Sequence, residues 1–225
     1  MSDNVDETAT ADRPLKRIVA RQPQRKPGQL RFRKLLDALD QLLANNSVQD
    51  IGLYQIAAHA KVPNASIYHF FPSTEAALLA LAEIHHHALL ELSKEYLPVP
   101  PTRWQDLFRQ KVTNAAQYHN NHPAALRLFL GANISVEVKS ADISQYHRLV
   151  DGRSQLLEHY FHMPMIPDWE RRLATYFALV DGVFSLSYSE NGFIRDDYIA
   201  EAHQAGVAYL RCYLPEILVP RESGK

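Results

Sequence analysis

The chain has a single cysteine, Cys212, among its 225 residues. Neither an intrachain disulfide nor a cysteine-rich metal cluster is therefore possible, in keeping with a reducing compartment. Cys212 itself reads as a small apolar packing residue. No apolar run approaches the roughly 18 to 20 residues needed to cross a bilayer. The first thirty residues are polar and charged and lack the apolar centre of a secretory signal. A cytoplasmic protein with no membrane partner is expected. Glycine occurs only eight times, and there is no glycine-framed nucleophile, phosphate loop or helical His-Glu-x-x-His motif, so the chain reads as a non-enzyme. A triad assembled in space leaves no linear trace, and a small all-helical enzyme stays as an alternative. Strand patterns and internal repeats are also missing. What is present, 46% hydrophobic and 22% charged composition, suffices for a core of ordinary size in one long domain or two short ones.

The net charge of −1 conceals a segregation. Asp3, Asp6, Glu7 and Asp12 open the chain, and Arg13, Lys16, Arg17, Arg21, Arg25, Lys26, Arg31, Arg33 and Lys34 follow with no acid among them. Pro14, Pro23, Pro27 and Gly28 are interspersed, and proline and charge both oppose a packed helix, so residues 1–27 are expected to form a flexible basic arm. From 35 to 80, by contrast, Lys61 is the only lysine or arginine, against Asp37, Asp40, Asp50 and Glu75.

Helical periodicity begins as the arm ends. Phe32, Leu35, Leu36, Leu39, Leu42 and Leu43 recur at three- and four-residue spacing and predict a first helix over about 29–45, stopped in left-handed geometry at Asn45-Asn46. Gly52 is an acceptable N-cap for a short second helix carrying Leu53, Ile56, Ala57 and Ala60. Val62 and Pro63 close it. Pro63 suits the turn or the first position of a third helix, where Ile67 and Phe71 point back to the core and Asn64, Ala65, Ser66, Tyr68 and His69 face outward. An apolar helix, a short turn and a second helix with polar residues outward is how a helix-turn-helix offers a reading helix to a DNA groove.

Residues 28 to 80 resemble the DNA-binding domain of the TetR/AcrR family of bacterial transcriptional regulators. The family's Ile-Ala pair, Ala-Gly-Val turn, Thr-Leu-Tyr-x-His-Phe recognition helix and Pro-Ser-Lys-Glu start of the fourth helix correspond to Ile56-Ala57, Ala60-Lys61-Val62, Ser66-Ile67-Tyr68-His69-Phe70-Phe71 and Pro72-Ser73-Thr74-Glu75. The resemblance implies that Ser66 and Tyr68 hold phosphates and that Tyr54, Gln55, Asn64 and Ala65 face base edges. It also implies a homodimer on a palindromic operator in double-stranded DNA, with repression as the default and a small-molecule effector. Two positions depart from the pattern. Lys61 replaces the turn glycine, so either a lysine sits near left-handed geometry or the turn differs. Thr74 replaces a phosphate-pairing lysine and leaves its hydroxyl, backbone N–H groups and the positive helix terminus to do that work. The weakly charged motif predicts that the arm, with Arg31, Arg33 and Lys34, supplies the missing phosphate contacts.

The rest reads as a second helical domain, giving an all-α chain of about nine helices. Ser73 caps a long fourth helix that joins the domains and runs to Pro98-Val99-Pro100-Pro101, and Thr102 with Gln105 has the spacing of a capping box. Pro123 opens the next helix, another runs from about Ser140 to His162, and Asp168 caps a helix bearing Trp169, Leu173, Tyr176, Phe177, Val180 and Phe184. The last runs from about Asp196 to Leu214. The expected division is an arm at 1–27, a reading domain at 28–75 with its motif about 51–70, an effector and dimerisation domain at 76–218 and a tail at 219–225. Tyr198, Ile199, Ala202, Ala205, Gly206, Tyr209 and Tyr213 set small residues beside aromatics and predict dimerisation through the last two helices, or else completion of the monomer's own core. A dimeric scaffold that does not read DNA is a further alternative. Pocket candidates are polar or aromatic residues on apolar helices: Tyr118, His119, Arg127, Tyr146, His147, Tyr176 and Asp181, with Leu81, Phe108, Phe129 and Phe177 as walls. His85-His86-His87 point about 100° apart and cannot share an ion without strain. His119 with His122, or His159 with His162, can pair but lack an evident third ligand, so surface or pH-sensitive histidines are expected, with no metal and no cofactor.

Overall fold

A computed structural model of the chain describes residues 19–131 and 136–221, with side chains throughout except at 136–147. The expected contacts of Arg13, Lys16 and Arg17, and the side chains of Tyr146 and His147, lie outside the described residues. Among the described residues there are nine α-helices and no sheet: α1 (Lys26–Asn45), α2 (Leu53–Ala60), α3 (Asn64–Phe70), α4 (Thr74–Lys94), α5 (Trp104–Asn121), α6 (Pro123–Leu130), α7 (Val136–Tyr160), α8 (Trp169–Asn191) and α9 (Asp196–Leu210).

The first three helices close on the stripe of α1. Leu35, Leu39, Leu43, Ile56, Ala57, Ile67 and Phe71 are fully buried, and each large aliphatic or aromatic side chain so placed stabilises the fold by about 1.5–3 kcal/mol. Phe32 stacks on Phe71 at 5.0 Å and meets Phe70 edge-on at 5.8 Å. Helix α1 starts two residues earlier than the expected domain boundary, with Pro27 in its first turn, where a missing N–H has no helical partner to lose. The preceding segment is packed as well: the Arg21 backbone N–H donates to the Phe70 carbonyl at 2.8 Å, beside the end of α3.

Helix α4 leaves the reading domain and continues through the second one, packed on α1 at its start and on α5, α6 and α7 farther along. Helices α8 and α9 form an antiparallel pair across α5, fastened at the turn by Asn120, whose side chain both donates to and accepts from the Ile194 backbone at 2.8 Å. The chain end is also docked. Trp104 donates to the Pro215 carbonyl and Gln105 to that of Glu216, both at 2.9 Å. Val219 to Arg221 pair with Tyr160 to His162 through two backbone hydrogen bonds of 2.8 Å, a single bridge outside any helix.

Several local expectations change. Asn46 is extended, with φ −124°, and stops α1 with its side chain, which donates to the Leu42 carbonyl at 2.8 Å. The Thr102–Gln105 capping box does not form: α5 starts at Trp104, and Gln105 is committed to Glu216 instead. Asp168 sits at the start of α8 with φ +55°, and its carboxylate pairs with Arg171 at 2.6 Å rather than with the helix N–H groups. Cys212 is exposed, beyond the end of α9. The stripe on α9 is split. Ala202 and Gly206 are buried inside the subunit, where Gly206 lies against the Tyr176 ring of α8.

A Cβ at 206 would stand 2.4 Å from Tyr176 Cε2, and Tyr176 is itself enclosed. Overpacking a closed core costs about 1–3 kcal/mol. Gly206→Ala is accordingly expected to lower the unfolding free energy measured by urea denaturation by that amount, and the double change with Tyr176→Leu to lose less than the sum of the single changes.

Candidate nucleic-acid interface and interior cavity

The outward side of α2 and α3 is built as a projecting surface. Ile56, Ala57 and Ile67 hold the two helices to the core, and Tyr54 and Tyr68 stand out at 64% and 61% exposure. Asn64, Ala65 and His69 are exposed beside them, with His69 edge-on to Phe70 at 5.2 Å, whereas Ser66 is half-buried. Gln55 has a second task that its assignment to base edges did not include. Its Oε1 accepts from the Gly52 N–H at 3.1 Å and caps α2, leaving its amide NH2 for an outside partner. At the start of α4, Ser73 Oγ accepts from the Ala76 N–H at 3.2 Å, and Thr74 is half-buried in the first turn.

The turn between α2 and α3 resolves the question raised by Lys61. Its φ of 53° and ψ of 43° are left-handed, a conformation costing a non-glycine residue about 1–2 kcal/mol. Lys61 keeps the turn in place through N–H bonds from Lys61 to Ala58 and from Val62 to Ala57, and it places the one cation of this region on an exposed turn next to α3. On α1, Arg31, Arg33 and Lys34 are exposed. Arg33 borders a groove between α1 and α4 that Glu83 also lines.

No protein-family model matches the chain, and no curated protein matches it. Solved structures do. A TetR-family transcriptional regulator from Streptomyces coelicolor superposes with a TM-score of 0.67 at 20% identity, over 82% of this chain and 98% of that one. The fold is that of the TetR-family regulators. Salmonella enterica GusR (TM-score 0.61, 17% identity, 85% and 100% covered) shares the TetR fold. So does SmeT, described as the repressor of the Stenotrophomonas maltophilia multidrug efflux pump SmeDEF (0.57, 15%, 86% and 96%).

Within the second domain of this TetR fold, α4, α5, α7 and α8 surround a cavity of about 90 Å³. Five of the expected pocket residues border it: His119, Phe129, Tyr176, Phe177 and Asp181. Two are employed elsewhere. Arg127 donates to the Asn46 and Ala44 carbonyls at 2.9 and 3.3 Å, bracing the C-terminal end of α1. Tyr118 shares a 2.8 Å hydrogen bond with His85 and stacks on His122; burial and the nearby Asp40 carboxylate push its phenol up to about 12. Leu81 and Phe108 belong to the core rather than to the cavity wall.

The cavity also has two buried cations that periodicity did not single out, beside the exposed Arg148 at its edge. Lys111 lies on α5 with its Nζ donating to the Leu92 carbonyl at 2.9 Å and to that of Glu95, so it caps the end of α4. Burial and the neighbouring Arg153 charge lower its pKa to about 8. Arg153 on α7 is 4% exposed, and burial brings it down to about 10. Its guanidinium lies over the rings of Phe108 and Phe177 at 5.2 and 5.9 Å. The signal for both was a charge on an apolar stripe, a pattern shared with any solvated helix edge.

Adjacent residues of α4 connect this cavity with the reading domain. His86 borders the cavity and stacks on Phe129 at 4.3 Å, while His85 Nε2 meets Asp40 of α1 at 2.9 Å. Both histidines are buried, which removes the surface option of the expected surface or pH-sensitive role, and both ring nitrogens of His85 are engaged by Asp40 and Tyr118. Among the described residues no group of three His, Cys, Asp or Glu is arranged to hold a metal ion, and no helix is long and apolar enough to cross a membrane.

Relief of left-handed strain and loss of a cation have separate readouts at one position. Lys61→Gly is expected to hold or raise unfolding stability by up to about 1 kcal/mol, while weakening association with random-sequence DNA and reducing its salt slope by about one unit per subunit.

Proposed function

We propose that the chain is a homodimeric, sequence-specific DNA-binding regulator, a repressor that leaves a palindromic operator when a small molecule enters the interior cavity. The observation that carries the reading is the exposed α2–α3 surface. Tyr54, Asn64, Ala65 and the amide of Gln55 stand where base edges would be met, with Ser66, Tyr68, His69 and Thr74 beside them for phosphates, on a TetR fold. Arg21 fastened to Phe70 favours phosphate contact from the basic segment, because it starts the arm from the side of the reading helix.

A dimer supplies the second reading helix. With Ala202 and Gly206 turned inward, the surface left for a partner is Leu179, Gly182 and Leu186 of α8 together with Ala205 and Ala208 of α9. Leu179 and Leu186 are 38% and 51% exposed, and Gly182 has open space where a side chain would project. Small residues among leucines let two such pairs of helices approach closely around a two-fold axis. Reading helices about 34 Å apart, one DNA turn, then require an operator with matching symmetry.

Regulation needs the cavity to favour one separation of those helices over another, and a ligand shifts operator affinity only by the difference in its affinity for the two arrangements. His86 at the cavity and His85 against Asp40 place both ends of that coupling on one turn of α4. SmeT, a repressor by its description, has also been solved as a complex with triclosan; a corresponding response is the reading here.

Selection from random DNA fragments by the full chain at two salt concentrations is expected to recover a palindrome, and recovery of none would favour a scaffold without specific DNA binding. A chain beginning at Val19, lacking Arg13, Lys16 and Arg17, is expected to bind the selected site more weakly, with a salt slope reduced by roughly three units per subunit. Unchanged affinity and slope would remove the arm from the account. Leu186→Asp is expected to convert the dimer to monomer in sedimentation and to abolish operator binding while the helical circular dichroism is retained.

A further inference from the structure

Arg153 presents an unsolved electrostatic problem. It is almost wholly enclosed, it stays charged at neutral pH with its pKa near 10, and its Nε and Nη1 have no hydrogen-bond acceptor among the described residues. A buried cation is ordinarily paired, because leaving one without a counter-charge costs several kcal/mol. The two aromatic rings at 5.2 and 5.9 Å answer part of that cost through their faces but accept no N–H bond. Lys111 borders the same cavity and adds a second positive charge, held in place by the carbonyl groups at the end of α4. Asp181 borders the cavity too and contributes to the environment of Tyr176.

Around these cations much of the wall is apolar, with Leu89, Val112, Phe129, Phe177, Val180 and Phe184, and His86, Ser93 and His119 are among its polar members. The space is about 90 Å³, below the roughly 300–1,000 Å³ of sites for drug-sized ligands and nearer the roughly 150 Å³ that accepts benzene. Room for one ring or a short chain therefore lies beside a cation two of whose three nitrogens lack an acceptor among the described residues.

We propose that the cavity binds a small monocarboxylate, with the carboxylate on Arg153 and a body the size of one aromatic ring or a short aliphatic chain among the apolar side chains. A carboxylate is an acceptor of the right charge for the guanidinium, and Arg–carboxylate hydrogen bonds are among the stronger ones available to a protein. Lys111 adds long-range attraction without leaving its carbonyls. The enclosure works in the same direction, since attraction between charges grows as water is excluded.

The proposal rests on the effector role of the cavity only for its regulatory meaning, so ligand binding is measured on the full chain without DNA. Calorimetry with butanoate, hexanoate, benzoate and phenylacetate, each paired with butanol, hexanol, benzyl alcohol and 2-phenylethanol, compares charge at nearly constant body. At least one acid is expected to bind roughly tenfold or more tightly than its alcohol, as one charge-assisted hydrogen bond implies. Arg153→Met is expected to fold at least as well as the parent, since it removes an uncompensated charge, and to lose that preference; Arg153→Lys is expected to keep part of it. Equal binding of acid and alcohol, retention of the preference in Arg153→Met, or binding of no acid in the series would each overturn the proposal. Operator release by the acid that binds is then scored separately. Binding without release sinks the effector reading and leaves the ligand class standing.

Discussion

The packing of α4 is the constraint on which both halves of the molecule depend. Its first turns complete the core of the reading domain, its middle is enclosed by α5, α6 and α7, and its C-terminal carbonyls are held by the Lys111 ammonium. A helix of this length behaves as a stiff rod, so a displacement at its cavity end must reappear at α1 unless the contacts between them yield. Beside the apolar share of Ala77, Leu78 and Leu81 in the common core, those contacts include polar ones: His85 with Asp40 and Tyr118, and Arg127 of α6 with the last carbonyls of α1. Hydrogen bonds of this kind are directional, and they define two bodies in a preferred orientation more sharply than an apolar seam of similar area.

Charge is distributed in a way that suits this division. The surface of α2 and α3 is aromatic and amide-rich, with Lys61 as its cation, and the positive charge lies on the segment before α1 and on α1 itself. Under the proposed function, placing specificity and phosphate attraction on different segments would let each vary without disturbing the other. The docking of Arg21 on Phe70 keeps those segments adjacent. In the second domain the same economy is reversed: positive charge is brought inside, where few groups answer it, and the interior becomes selective for what can.

Much of the architecture was legible from residue order. The α1 stripe, the Ile56-to-Phe71 motif, the prolines between helices and the all-α character each depend on neighbours within about one or two helical turns, and there sequence spacing is spatial spacing. Even the strained lysine at the turn was foreseen as one of two options, because the helix ends on either side leave the backbone few conformations. The failures are equally physical. Asn46, Thr102 and Asp168 are all competent caps, and each side chain had rival partners whose positions depend on the rest of the fold.

By itself, then, the order of residues determined an all-helical chain with a short helix pair facing outward, since those features follow from local periodicity and turn chemistry. Tertiary structure alone decided which face of α9 is core and which is surface, because that turns on a Tyr176 ring thirty positions away lying against Gly206. It alone decided that Arg127 braces α1 while Arg153 faces the cavity, although both are arginines set among helical apolar residues. A charged side chain reaches about as far as a helix is wide, and only the packing of helices distant in sequence determines whether it meets solvent, a carbonyl or an enclosed space.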